Sequence, residues 1–125
     1  MKVNDLRVYN KLFQLALEVH ELTMTFPRFE MYELGSQLRW SSNSAPANLA
    51  EGFDCKHTNI YLESISRAQG EIRETLHYLK VALKKGYMTQ EKFDYFLWEY
   101  EDSSRMLFGL EQSLVQSLRS NSSIR

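Results

Sequence analysis

The chain has 125 residues, enough for one domain that buries a core without disulfides or metal and too few for two; its formal net charge of −1 excludes a strong, chain-wide attraction to nucleic acid. Hydrophobic residues make up 43% and charged residues 25%, with only two prolines and five glycines, which excludes the disordered and fibrous classes and suits helices. The single cysteine, Cys55, cannot form an internal bridge, no N-terminal apolar stretch matches a secretory signal, and no window approaches the roughly 20 apolar residues that cross a bilayer, so the expected setting is cytoplasmic, without membrane contact.

The first helix is predicted from Asn4, a good N-cap, to Thr25, stopping before Phe26-Pro27 because a residue preceding proline resists the helical region. Val8, Leu12, Leu15, Val19 and Leu22 are spaced alternately by four and three, a coiled-coil seam, and Tyr9, Phe13 and Ala16 add a second stripe that widens the apolar face toward several neighbours. The second helix is predicted from about Glu30 to Glu51, ended by Gly52, with Leu34, Leu38, Ala45 and Leu49 inward. Small residues such as Ser36, Ser41, Ser44, Ala47 and Ala50 let another helix approach closely. Pro46 removes a backbone hydrogen bond inside this segment, which predicts a kink near Ser42 or two helices broken there.

After a loop from Phe53 to His57, Thr58 or Asn59 caps a third helix reaching Lys85, with a seam of Leu62, Ile65, Gln69, Ile72, Leu76, Leu79 and Leu83. Gly86 follows as a C′ residue, and Thr89 caps a fourth helix to about Leu118, whose seam is Phe93, Leu97, Tyr100, Leu107, Leu114 and Leu118. Short loops force successive helices antiparallel. The expected fold is therefore all-α, an antiparallel up-and-down four-helix bundle forming one domain over residues 1–120, with a polar tail that frays over 121–125.

Charge is uneven along the chain. Residues 67–85 carry five bases against two acids, and residues 91–102 carry one base against five acids, a complementarity that favours side-by-side packing and equally describes two solvated faces. Aromatics are numerous, and Tyr95, Trp98 and Phe108 fall off the inward seam of the fourth helix, a pattern of protein interfaces that points to self-association.

Glu74-x-x-His77 has the spacing of a di-iron ligand pair, but no second Glu-x-x-His exists to complete such a site, so no metal or other cofactor is expected. Cys55 and His57 sit two residues apart in a polar loop with no third orienting group, and phosphate-loop and nucleophile-elbow motifs are missing, so no catalytic residue is assigned. Arg39, Lys56, Arg67 and Arg73 can contact the phosphates of RNA or DNA if they converge, with Trp40 or Phe53 available for stacking; taken singly, each reads as an ordinary solvated charge.

The run Phe26-Pro27, Glu30, Tyr32, Leu34, Gln37-Leu38-Arg39 and Ser44-Ala45-Pro46-Ala47-Asn48-Leu49-Ala50-Glu51-Gly52 resembles the signature of the four-helix bundle proteins encoded within intervening sequences of bacterial 23S rRNA genes. Leu6, Val8 and Tyr9 upstream, and Ala68, Gly70, Glu71, Glu74 and Gly86-Tyr87 downstream, extend the resemblance to about Tyr87. It implies an up-and-down bundle assembled into a ring-like homopentamer in a bacterial cytoplasm, with no established role. A related branch, the accessory proteins of diversity-generating retroelements, binds nucleic acid and a reverse transcriptase through a basic surface. This chain departs from the pattern at Trp40, where relatives carry a second basic residue, and at Phe53-Asp54, where they carry Gly-Arg; both changes remove positive charge.

Within that motif, Asn48 and Glu51 are the polar residues of interest. They suit a contact at a subunit junction or a ligand site, and equally helix termination and hydrogen bonding between helices. The function expected from the sequence is a non-enzymatic homo-oligomer, pentameric by resemblance, that binds RNA or DNA with modest affinity; the alternative is an adaptor docking a protein partner on its aromatic surface.

Overall fold

The fold comes from a computed structural model, which describes the backbone of residues 1–124 and the side chains of residues 1–120. A 3₁₀ turn over Val3–Asp5 leads into α1 (Arg7–Thr23), followed by the one-turn α2 (Arg28–Met31), then α3 (Leu34–Gly52), α4 (Thr58–Lys84) and α5 (Gln90–Ile124). The four long helices form an antiparallel up-and-down bundle in which α1 packs on α3, α3 on α4, α4 on α5 and α5 back on α1. Cross-helix pairs give the directions. Ser41 meets Thr75 while Gly52 meets Ser64, so α3 and α4 run oppositely; Lys11 meets Asp102 while Glu18 meets Tyr95, so α1 and α5 do too.

Local chemistry sets two boundaries where expected. Gly86 has φ +82°, its N–H bonds Leu83 O at 3.0 Å, and the Tyr87 N–H bonds Ala82 O at 2.9 Å, the paired closure of a Schellman motif. Thr89 Oγ1 accepts the Lys92 N–H at 3.1 Å and caps α5.

Four boundaries differ from expectation. The N-cap position of α4 is held by His57, with Thr58 already the first helical residue, so neither Thr58 nor Asn59 is its cap. Asn4 is not the cap of α1: it lies in the 3₁₀ turn, its carbonyl accepting Asn10 Nδ2 at 2.7 Å, and Leu6 occupies the N-cap position. The second helix does not start smoothly at Glu30. Glu30 belongs to α2, its carboxylate drawn down to Lys85 Nζ at 2.7 Å and Tyr87 Oη at 2.9 Å, and the chain breaks at Tyr32-Glu33 before α3 begins. Finally, α5 continues past Leu118 to Ile124; the side chains of the expected fraying tail, and Arg125 altogether, lie outside the described residues.

Of the two readings of Pro46, the unbroken helix holds: α3 runs continuously through it. Proline has no N–H for the Ser42 carbonyl, which is the local cause for any bend there.

Val8, Leu12, Leu15 and Val19 of α1 are buried, as are Leu38, Ala45 and Leu49 of α3, Ile65, Ile72 and Leu79 of α4, and Phe96, Tyr100 and Leu107 of α5. The second stripe of α1 splits, with Ala16 buried, Tyr9 half-buried and Phe13 exposed. On α4 the deeper face is shifted toward small residues, Ser64, Ala68, Thr75 and Ala82, leaving Leu62, Leu76 and Leu83 half-buried. This shift brings α3 and α4 together closely. The polar seam member Gln69 is satisfied across the bundle, donating to Ser104 O at 2.9 Å and accepting from Ser104 Oγ at 2.5 Å.

Candidate functional site

Three of the six residues singled out in the sequence meet in one place. Where the C-terminal end of α3 crosses the start of α4, Asn48, Glu51 and Arg67 line a recess of about 130 Å³ together with Ile60, Glu63 and Ser64. Gly52 lines it as well. Asn48 Nδ2 donates to Ser44 O at 2.8 Å, one turn back on α3, and Arg67 Nη2 pairs with Glu63 Oε1 at 2.6 Å, one turn back on α4. Both are i,i+4 contacts of modest energy, the first part-buried and the second exposed, which fix the orientation of the side chains more than the stability of the fold.

The other three residues do not join them. The Arg39 guanidinium is committed inside the chain, donating to Thr23 Oγ1 at 2.8 Å and to Met31 O at 2.7 Å, so it ties α3 to the end of α1 and to α2. Its flank, with Trp40, Ser36, Asn43 and Ala47, lines a shallow depression on the outer surface of α3. Lys56 is exposed in the loop between α3 and α4. Arg73 lies six residues after Arg67, a rotation of about 240° on a helix, and therefore faces the opposite groove. The four bases are spread over separate surfaces.

Arg73 instead meets Arg105, a residue the sequence reading passed over. Between α4 and α5 an open groove of about 470 Å³ is lined by Arg73, Gln69, Ser104, Arg105, Phe108 and Glu111, with Ser66 at its edge. Phe108, flagged by its position off the inward seam, is 59% exposed. Arg105 lies 5.2 Å over the Trp98 ring and 3.5 Å from Asp102 Oδ1. The signal that could have found Arg105 was its seven-residue spacing from Trp98, two turns along one face.

Electrostatics distinguish the surface from the interior. Glu71, whose Oε2 is buried without a hydrogen-bond partner, is pushed above the usual carboxylate range by burial and by neighbouring Glu74. Burial likewise raises the Tyr100 hydroxyl, also without a partner, and the Tyr61 hydroxyl. Glu74 is half-buried, and the exposed His77 packs edge-on to Tyr78 at 5.2 Å. Among the described residues no three His, Cys, Asp or Glu side chains gather in a way that could hold a metal ion. His57 occupies the N-cap position of α4 and Cys55 is half-buried in the preceding loop. No described helix is long and apolar enough to cross a membrane.

A small helical bundle whose polar recesses lie in the grooves between helices, with aromatic side chains standing outside the core, is the class of protein these features define. The chain belongs to the 23S rRNA-intervening sequence protein family, whose model matches residues 4–109. It is similar to the crystal structure of a protein of unknown function from the S23 ribosomal protein family of Bacteroides thetaiotaomicron VPI-5482, with 19% sequence identity, a TM-score of 0.73, and 83% of this chain and 97% of that chain covered. At that identity the likeness is one of fold. No curated protein matches the chain.

Proposed function

We propose that the chain is a non-enzymatic assembly module whose copies join into a homo-oligomer, five to a ring as the family resemblance implies, and that the assembly gathers RNA or DNA with modest affinity. The observation that carries the first part is an apolar stripe on the outside of α1. Phe13, Leu17 and Met24, at helical spacings of four and seven, are 51%, 49% and 53% exposed. Phe29 and Tyr32 follow on the next segment and Trp40 on α3, each exposed by more than two thirds. Apolar surface of this kind gains about 25 cal/mol for each Å² removed from water, and a repeated heterologous contact forms a ring when its rotation closes.

Light scattering of the purified chain tests this directly. The expected result is a mass several times 14.8 kDa, falling to one chain when Phe13 and Leu17 are both replaced by glutamate, with helicity unchanged. A wild-type protein that stays monomeric at high concentration overturns it.

Support for nucleic acid comes from α4, where Arg73, His77, Lys80 and Lys84 are exposed at spacings of four, three and four and so share one face. An assembly multiplies such a face, so the net charge of one chain understates it. The exposed Trp98 on α5 favours the adaptor reading instead. Salt separates the two: phosphate binding weakens steeply as ionic strength rises, and docking on apolar surface hardly responds.

A further inference from the structure

We infer that the groove between α4 and α5 seats single-stranded nucleic acid, a base stacking on Phe108 while flanking phosphates are held by Arg73 and Arg105. This rests on the nucleic-acid part of the proposed function and goes beyond it in naming the site and the form of strand. The starting point is that the two guanidinium groups share a groove whose floor is uncharged. Gln69 and Ser104 bond one another there, so the floor neither needs nor repels a phosphate.

Both arginines are available. Arg73 has no carboxylate within ion-pair distance among the described residues. Arg105 is held only by surface contacts on its own helix, Asp102 at 3.5 Å and the Trp98 ring at 5.2 Å, with its side chain 55% exposed, so a phosphate can compete for it. The ring of Phe108 stands in the same groove with most of its surface open, and no described side chain stacks on it.

A phenyl face beside two guanidinium groups matches a chain that alternates flat bases with phosphates. It discriminates by form. Bases of a duplex are already stacked and paired, so only an unpaired base can lie on Phe108, and such stacking is sequence-tolerant. The groove also has a direction. Glu111, one turn beyond Phe108 on α5, repels phosphate, whereas from Arg73 the face of α4 continues through His77, Lys80 and Lys84 for about 16 Å. The strand therefore runs from Phe108 toward the C-terminal end of α4.

Two glycines fit this reading. Gly109 is exposed beside Phe108, four residues after Arg105, with nothing within 4 Å of where a Cβ would stand, so no neighbour in the chain explains it. At Gly70 a Cβ would meet only Arg73 Nη2, at 3.8 Å. A glycine inside a helix costs about 1 kcal/mol relative to alanine, and close approach by an outside body is one use for it.

The test is fluorescence anisotropy of the intact chain with labelled oligo-dT, oligo-U and a duplex of about 20 nucleotides, across salt from about 50 to about 200 mM. Phe108→Ala is expected to weaken both single strands by about 5- to 150-fold and to leave the duplex unchanged. Arg73→Gln and Arg105→Gln should each weaken binding and flatten the logarithmic salt slope by about 0.7, the share of one phosphate on a single strand. Lys56→Gln, away from the groove, should change neither. Tighter binding of oligo-U than of oligo-dT assigns the natural ligand to RNA through its 2′-hydroxyl, and equal binding assigns the groove to base and phosphate alone. Wild-type binding that all three groove variants retain overturns the seat and leaves the nucleic-acid reading standing. No binding by the wild type overturns both. Loss of assembled mass in Phe108→Ala with strand binding intact also overturns the seat, marking the groove as a contact between copies.

Discussion

A methyl group on Gly52 of α3 would collide with the Cβ of Ser64 on α4, well inside the contact distance of non-bonded carbons. Gly52 is thus more than the end of a helix. Its φ is not positive; the positive φ at this corner belongs to Asp54, at 49°. The glycine lets two helices touch, and beside that contact lies the recess of Asn48, Glu51 and Arg67.

Gly52→Ala is accordingly expected to destabilise the bundle by about 1–3 kcal/mol, the usual cost of overpacking, although alanine is the better helix former. Urea melts measure it. Ser64→Gly in the same chain removes the opposing carbon and should recover part of the loss. A Gly52→Ala protein as stable as the wild type would mean that α3 and α4 stand further apart.

Glu30 gives the fold an acid-sensitive tie. Hydrogen bonds from Lys85 and then Tyr87 hold its carboxyl below the ordinary value of 4.5. Because the folded value is the lower one, this stabilisation is complete above about pH 4.5 and is lost as pH falls through the folded value. Asp102 behaves alike through Lys11, starting from 3.8. The melting temperature should therefore drop with acidification below pH 4.5, and Glu30→Gln should lower it at neutral pH while flattening the acid limb. Equal acid slopes for variant and wild type would remove Glu30 from the account.

Glu71 has the opposite sign. Burial and Glu74 raise its folded value above the unfolded one, so its charged form costs stability above the folded value, and that cost is relieved as pH falls through it. Glu71→Gln should raise the melting temperature at neutral pH by a few degrees and remove this relief. A lower melting temperature would show that the charge has a partner that matters more than its burial.

These cases show which features local sequence could carry. The α4–α5 corner was legible because Gly86 and Thr89 act on their own neighbours, through a left-handed residue and a hydroxyl cap. The break before α3 was not, because the pull on Glu30 comes from Lys85 and Tyr87, more than fifty residues away. On α4 the count of Leu and Ile gave the correct helix but a rotated face: α3 is met by Ser64 and Thr75, hydroxyl residues that an apolar period does not weigh. That the four basic residues do not converge within one chain has two causes. Thr23 and Met31 occupy the Arg39 guanidinium, a contact that charge counting does not weigh, and the six-residue step from Arg67 to Arg73 places those two on different faces of α4.

The hydroxyl pair of Ser41 and Thr75 offers the most direct check on the α3–α4 contact. Thr75 Oγ1 lies 2.8 Å from Ser41 Oγ and 2.8 Å from the Glu71 carbonyl, and both side chains are fully buried. One proton on each hydroxyl serves both contacts when Ser41 donates to Thr75 and Thr75 to the carbonyl. Thr75→Val keeps the shape but strands the Ser41 hydroxyl away from water, with only a 3.4 Å contact to the Leu38 carbonyl, and should cost about 1–3 kcal/mol. Ser41→Ala should cost less, since Thr75 keeps its carbonyl. The double variant should cost less than the sum of the two, because once Ser41 is alanine no hydroxyl is left unpaired. Urea melts of the four proteins close the cycle. Additive losses would mean that the hydroxyls do not pair and that α3 and α4 are held by shape alone.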